Sequence, residues 1–237
     1  GAGAEAWLDH LMTNSMPKAG RLVLTPMLNE AGKLIGDFTI AKASDTRFLI
    51  WGSLSASKYH MRWFEQHLPK DGSVQVRRFH MDLVGLSVCG PKARAVLAEL
   101  TDADVSNAAF KFMDFREFDV AAAPCMVNRI TYSGDLGYEI WMHPSYQRRV
   151  YLAIKAAGAA HGIVDFGMRA LLSMRLEKNF PTWYAELRPI YGPYEGSMDR
   201  FIKLQKPDFI GRAAAVKERD EGPKRRRVSL IIEAGTA

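Results

Sequence analysis

Apolar positions along the chain switch between helical and strand spacing, and the switches outline the elements. Trp7, Leu8, Leu11 and Met12 recur at helical intervals over residues 4–12, and Pro17 ends that run. Residues 21–28 and 33–41 then read as strands flanking the turn Asn29-Glu30-Ala31-Gly32, a hairpin, with a third strand at 47–51. Ser55 or Ser57 is placed to cap a helix carrying Tyr59, Trp63, Phe64 and His67, which stops at Pro69. Strands are predicted at 74–79 and 82–88. Gly90-Pro91 then opens a helix with the stripe Ala93, Val96, Leu97 and Leu100. Strands near 113–120, 125–132 and 138–142, a helix over about 145–160 and a helical segment at 166–178 follow. Residues 226–232 read as a strand with almost no chain left to pair with it, so a following domain is expected to be missing. Hairpins with interspersed helices, rather than regular strand–helix alternation, predict an α+β fold of antiparallel sheets and flanking helices.

Charges that break this apolar pattern are the candidates for chemistry. Arg169, Arg175 and Glu177 interrupt the 166–178 segment, and a buried charge must be paired and hydrogen-bonded. A structural ion pair and a ligand-facing wall both fit. Asp37 lies in an apolar strand between Gly36 and Phe38, and alternation puts it on the face opposite Phe38. That face is either solvent or a cleft in which a carboxylate meets a reacting amine, with Gly36 admitting a ligand closely. In Tyr132-Ser133-Gly134-Asp135-Leu136-Gly137-Tyr138-Glu139, two glycines shape a tight connection and Glu139 enters the next strand. Its carboxylate can take paired N–H groups from a planar heterocycle, or pair with Arg169 or Arg175.

Composition narrows the class. With 237 residues, 48% hydrophobic and 24% charged, the chain reads as a soluble globular protein of one large or two ordinary domains. No run approaches the roughly 18 apolar residues of a membrane span, and the start lacks a basic segment followed by an apolar signal core. Cys89 and Cys125 sit among apolar neighbours, as reduced packed thiols do. The formal charge of +6 is partly local to Lys224, Arg225, Arg226 and Arg227, a solvated turn rather than a nucleic-acid patch. Gly1-Ala2-Gly3-Ala4-Glu5-Ala6 imitates a dinucleotide motif without the strand that must precede it, and the histidines lack zinc-site spacing.

In order, Leu24-Thr25-Pro26-Met27-Leu28-Asn29-Glu30 with Leu34-Ile35-Gly36-Asp37-Phe38-Thr39, then Tyr132 to Glu139, then Ser173-Met174-Arg175-Leu176-Glu177-Lys178, resemble the folate-binding half of the glycine-cleavage aminomethyltransferase superfamily. Within it, Tyr59 to Phe64, Leu100 to Asn107, Asp199-Arg200-Phe201 and Asp208 to Arg212 resemble the C-terminal region of dimethylglycine and sarcosine dehydrogenases. The resemblance implies an aminomethyltransferase-like region over residues 1–222, with residues 223–237 starting a largely absent β-barrel domain. It implies Asp37 as the catalytic aspartate, Glu139 gripping the pterin, and Tyr132, Arg175 and Trp183 around the folate, with Glu195 nearby in a turn where a structural role is the alternative. Asp135, Asn179 and Tyr184 depart from the common residues at their positions.

The activity so implied is one-carbon transfer to tetrahydrofolate, giving 5,10-methylenetetrahydrofolate from a one-carbon unit released by methylamine oxidation. Flavin (FAD) belongs to an upstream or separate oxidoreductase domain or subunit. No nucleic-acid or membrane partner is expected, and the expected compartment is the cytoplasm, or the mitochondrial matrix in a eukaryote. The alternatives are a tetrahydrofolate-dependent methyltransferase or demethylase acting on a methyl donor, and a folate-binding scaffold without turnover.

Overall fold

The turn after residue 28 starts the first sheet: the Asn29 side chain accepts a hydrogen bond from the Lys33 N–H at 2.9 Å, and Gly32 takes a φ of +72°. Across it β1 (Leu22–Leu28) pairs antiparallel with β2 (Leu34–Ser44), and β3 (Arg47–Trp51) adds to the far side of β2. A computed structural model describes residues 1–233. In it a second antiparallel sheet comprises β4 (Val84–Cys89), β5 (Phe115–Val120), β6 (Ala123–Asn128) and β7 (Gly137–Met142), in the order β4-β7-β6-β5.

Helices cover one face of each sheet. On the first, α1 (Ala4–Leu11) and α2 (Ser57–Gln66) bury Leu8, Leu11 and Phe64 with Phe38 and Ile40, and the C-terminal third adds Trp183, Leu187 and Phe209. On the second, α3 (Ala93–Ala98) and α4 (Pro144–Gly158) bury Val96, Leu97, Val150 and Ile154 against Val127, Tyr138 and Ile140. The opposite faces meet in a third cluster, Leu22, Ala41, Leu49 and Phe115, with Trp51 and Met126 packed against it. This is an α+β arrangement. α5 (Met168–Glu177) and α6 (Arg212–Glu221) complete the helices.

Several sequence expectations are corrected. Neither Ser55 nor Ser57 caps α2; its N-cap is Ala56, and the Ser57 hydroxyl instead accepts a hydrogen bond from Arg78 at 3.0 Å. Residues 74–79 form no strand, because among the described residues no other strand pairs with them; Val74 is buried in the first core. Residues 226–232 are likewise irregular, with Ile231 98% exposed. Arg227 instead ties this segment to the preceding loop through its N–H on the Glu195 carbonyl at 2.9 Å. The helix expected at 166–178 forms as α5 and lies on the surface: Met168 and Leu176 are 67% and 52% exposed, Arg169 and Glu177 face solvent, and Arg175 is its buried residue.

Candidate functional site

Register decides where Asp37 points. It pairs with Pro26, and Thr39, two residues on along the same side, pairs with Trp51. Trp51 lies against the second sheet, its ring centroid 5.8 Å from Trp141 and 6.4 Å from Phe115. Asp37 therefore looks into the space between the sheets and not into solvent. Burial pushes its carboxyl pKa up to about 6, a rise that its own backbone N–H only partly offsets.

The second sheet offers a matching carboxylate. Tyr138, Ile140 and Met142 of β7 are buried in the α3/α4 core, so Glu139 and Trp141 take the opposite side, towards the first sheet. Asn128 sits beside Glu139 across the β6–β7 ladder, and its Nδ2 donates to Glu139 Oε2 at 3.3 Å. Burial raises the Glu139 pKa, and the Asn128 amide and the nearby Trp141 indole pull it back. The indole N–H is near enough to this carboxylate to stabilise its charge, without meeting full hydrogen-bond geometry. Trp141 lies over Gly85, where an added Cβ would come within 2.7 Å of its ring.

A third group frames the edge of this space. Arg175, 6% exposed, pairs with Glu186 at 2.9 Å and donates to the Phe180 carbonyl at 2.9 Å. The expected pairing of Glu139 with Arg169 or Arg175 is thus not formed: Arg175 is taken by Glu186, and Arg169 is on the surface. Glu186 also accepts from the Thr182 N–H at 3.0 Å, and Tyr132 donates its hydroxyl to the Pro181 carbonyl at 2.8 Å. Together they pin residues 180–187 beside β2. Tyr132 is close enough to Asp37, Arg175 and Glu186 to feel all three charges, although burial is the main cause of its raised pKa.

Trp183 packs on the Phe38 side of β2. It is 6% exposed, 5.3 Å from the His60 ring and stacked on Tyr59 at 6.4 Å. His60 in turn contacts Phe38 at 4.7 Å, and the Phe38 ring leaves no room for a side chain at Gly36, whose Cβ would fall 2.5 Å from that ring and 3.1 Å from His60 Nε2. Burial lowers the His60 pKa to about 4, so the imidazole backing the Asp37 strand is neutral. Glu195 is structural, accepting from the Gly192 N–H at 3.1 Å and from Arg225 Nε at 3.2 Å.

Asn128, Trp51, Trp141, His60 and Glu186 escaped the sequence reading. Trp141 was within reach, because it follows Glu139 by two residues in a strand. Glu186 is in an irregular loop and gave no signal. A groove of about 780 Å³ runs along β3 and reaches Trp51, Trp141 and Gly85, but neither Asp37 nor Glu139 lines it. The carboxylates, not the groove, locate the candidate site.

The profile of the GCVT N-terminal domain matches residues 1–206. The chain belongs to this family. Over 227 residues, 95% of the chain, it is 36% identical to human mitochondrial dimethylglycine dehydrogenase, of which that match covers 26%. It is 32% identical over 235 residues to the aminomethyltransferase of Bacillus subtilis, covering 97% of the chain and 64% of that protein. The glycine cleavage system aminomethyltransferase T of Bartonella henselae has the same fold, with a TM-score of 0.84 over 95% of this chain and 61% of that one, at 22% identity. The chain thus spans about a quarter of the dehydrogenase and less than two thirds of the aminomethyltransferases. Its family segment contains both sheets, Asp37, Glu139 and the loop held by Arg175.

Proposed function

We propose that this GCVT-family chain is the folate module of a one-carbon transferase, and that the one-carbon unit comes from oxidation of a dimethylglycine- or sarcosine-type methylamine. The observation that carries the reading is a pair of partly buried carboxylates, Asp37 and Glu139, directed into one inter-sheet space. Among the described residues neither takes part in a salt bridge. Carboxylates withheld from water and from internal cations are free to meet a ligand that supplies the missing donors.

The donor set suits tetrahydrofolate. Glu139 offers two acceptor oxygens to an amino group and a neighbouring ring N–H, and Trp51 and Trp141 offer aromatic surface in the same space. Reduced folate, when bound, supplies the nitrogen that accepts the one-carbon unit, with 5,10-methylenetetrahydrofolate as the product. Asp37 carries the chemistry of this chain. With a pKa near 6 it is mostly ionised at neutral pH, where it orients the reacting N–H and stabilises positive charge developing on nitrogen. Gly36, held against His60 and Phe38, fixes the strand on which Asp37 rides, with Trp183 behind the imidazole. Arg175, Glu186 and Tyr132 fix the wall formed by residues 180–187, which limits water around the reacting carbon.

The longer dehydrogenase relatives motivate the rest. A flavin domain or subunit oxidises the methylamine, and residues from 223 onward lead into a further domain. The compartment is the cytoplasm, or the mitochondrial matrix in a eukaryote. The test uses the complete enzyme with its donor. Asp37→Asn leaves folate binding within a few-fold and lowers one-carbon transfer by roughly 10²–10⁴-fold. Near-normal transfer by this variant removes Asp37 from catalysis, and 5-methyltetrahydrofolate as the product replaces methylene transfer with methyl transfer.

A further inference from the structure

Residues 74–79 carry the alternation of a strand without its ladder. Val74 and Val76 turn into the first core, while Gln75 and Arg77 are exposed. Among the described residues, no backbone N–H or C=O of residues 74–78 has a backbone partner. Across the groove of about 780 Å³, β3 is in the same condition: it is the last strand of its sheet, its groups facing β2 are paired, and those on its other edge are not. Trp7, Leu8 and Phe64 line the groove on the side of the first core, and Trp141 lines it from the second sheet. Two backbone edges with unmade hydrogen bonds, lining one largely apolar groove, match one kind of occupant. Only another extended backbone supplies donors and acceptors at the spacing of both rows.

We propose that this groove seats a β-strand, and that the residues joined to Gly1 in a longer form of the polypeptide supply it. The two open edges call for a strand whatever its source, and the lie of Gly1 selects the source. Its nitrogen donates at 2.7 Å to the carbonyl of Thr46, which directly precedes β3. The Gly3 N–H donates at 3.2 Å to the carbonyl of Ser73, which directly precedes the second edge. The chain therefore enters between the two edges at the end where both begin, and a strand running towards Gly1 is antiparallel to each. Glycine is required at this entrance: a Cβ on Gly1 would come within 2.1 Å of the Ser73 carbonyl oxygen, and one on Gly3 within 2.5 Å of the Ser73 Oγ. Five residues match the length of β3, with every second side chain turned towards Trp7, Leu8 and Phe64 and therefore apolar. The new strand and residues 74–79 together give the first sheet five strands in place of three. Trp51 then no longer lies on an edge, and a domain fused upstream is held by a ladder instead of a free linker. The inference does not depend on the folate reading.

Hydrogen exchange read by mass spectrometry, on the 237-residue chain and on the complete polypeptide encoded by its gene, tests this. The outward amides of residues 47–51 and the amides of 74–79 should exchange at least roughly 10²-fold more slowly in the complete polypeptide, while those of β6 and β7, already in a ladder, change little. Proline in place of two consecutive residues before Gly1 removes one N–H from the ladder on each side, and should restore fast exchange at 74–79 without exposing β6 and β7. Equal exchange at both edges in the two forms overturns the proposal. So does protection in the 237-residue chain that rises with its concentration, which gives the groove to a second copy, and so does a gene product with no residues before Gly1. If the 237-residue chain is too unstable to compare, the complete polypeptide decides alone: residues 74–79 exchanging there as fast as the exposed residues 224–226 overturn the proposal.

Discussion

Asp37 is a charge that the fold keeps against a gradient, so removing the charge should stabilise the protein while disabling it. In the unfolded chain the carboxyl titrates near 3.8, and in the folded protein near 6, with burial as the main cause. The folded state therefore holds this proton where the unfolded state has lost it. Stability contributed by the group is complete below about pH 4 and is lost as pH rises through 6, the reverse of a salt-bridged aspartate. At 1.36 kcal/mol per pKa unit the shift corresponds to a penalty of about 3 kcal/mol above pH 7. Asp37 retains some exposure and water relaxes such penalties, so roughly 1–3 kcal/mol is the expected gain from Asp37→Asn. Urea unfolding of both proteins at pH 4, 5, 6 and 7.5 measures it. The variant should match the wild type at the acid end and pull ahead as pH rises. An Asn variant that is no more stable at pH 7.5, or whose advantage is the same at every pH, refutes the burial argument and with it the view that Asp37 is withheld for function.

The other predictions concern neighbouring parts of the site. Glu139→Gln keeps the size and removes a charged acceptor, so reduced folate should bind about 1.5–3 kcal/mol more weakly by calorimetry; equal affinity removes Glu139 from the site. Glu186→Gln strips the buried Arg175 of its counter-charge, and because Glu186 itself is half-buried the change should destabilise by roughly 1–3 kcal/mol and speed proteolysis within residues 180–187; an unchanged unfolding midpoint would show the pair to be incidental. Gly36→Ala drives a methyl into Phe38 at 2.5 Å and towards His60 at 3.1 Å, so it should cost about 1–3 kcal/mol in thermal unfolding, and relief by Phe38→Leu would trace the strain to the ring contact.

Local patterns carried much of the architecture because they report what a segment does by itself. Alternation and turn residues placed β1, β2 and β3, and helical spacing placed α1 and α4. The same reasoning failed at 74–79 and 226–232, where apolar alternation meets no neighbouring strand; a strand needs a ladder, and its partner is not encoded in the segment. At α5 it placed the helix but not its exposure, since Met168 and Leu176 lie on the surface.

For the site, the sequence by itself determined which residues were anomalous: a carboxylate in each of two apolar strands, and an arginine in an apolar helix. It also fixed the faces of Asp37 and Glu139 relative to their strand neighbours, since side-chain direction follows from the period of the backbone. Only the tertiary structure decided that those two faces meet, because the residues are far apart in sequence and belong to different sheets. It alone gave Arg175 to Glu186 and not to Glu139, and set Asn128 beside Glu139 through the β6–β7 register. Ion pairing and desolvation depend on distance and on what displaces water, and neither is a property of a segment.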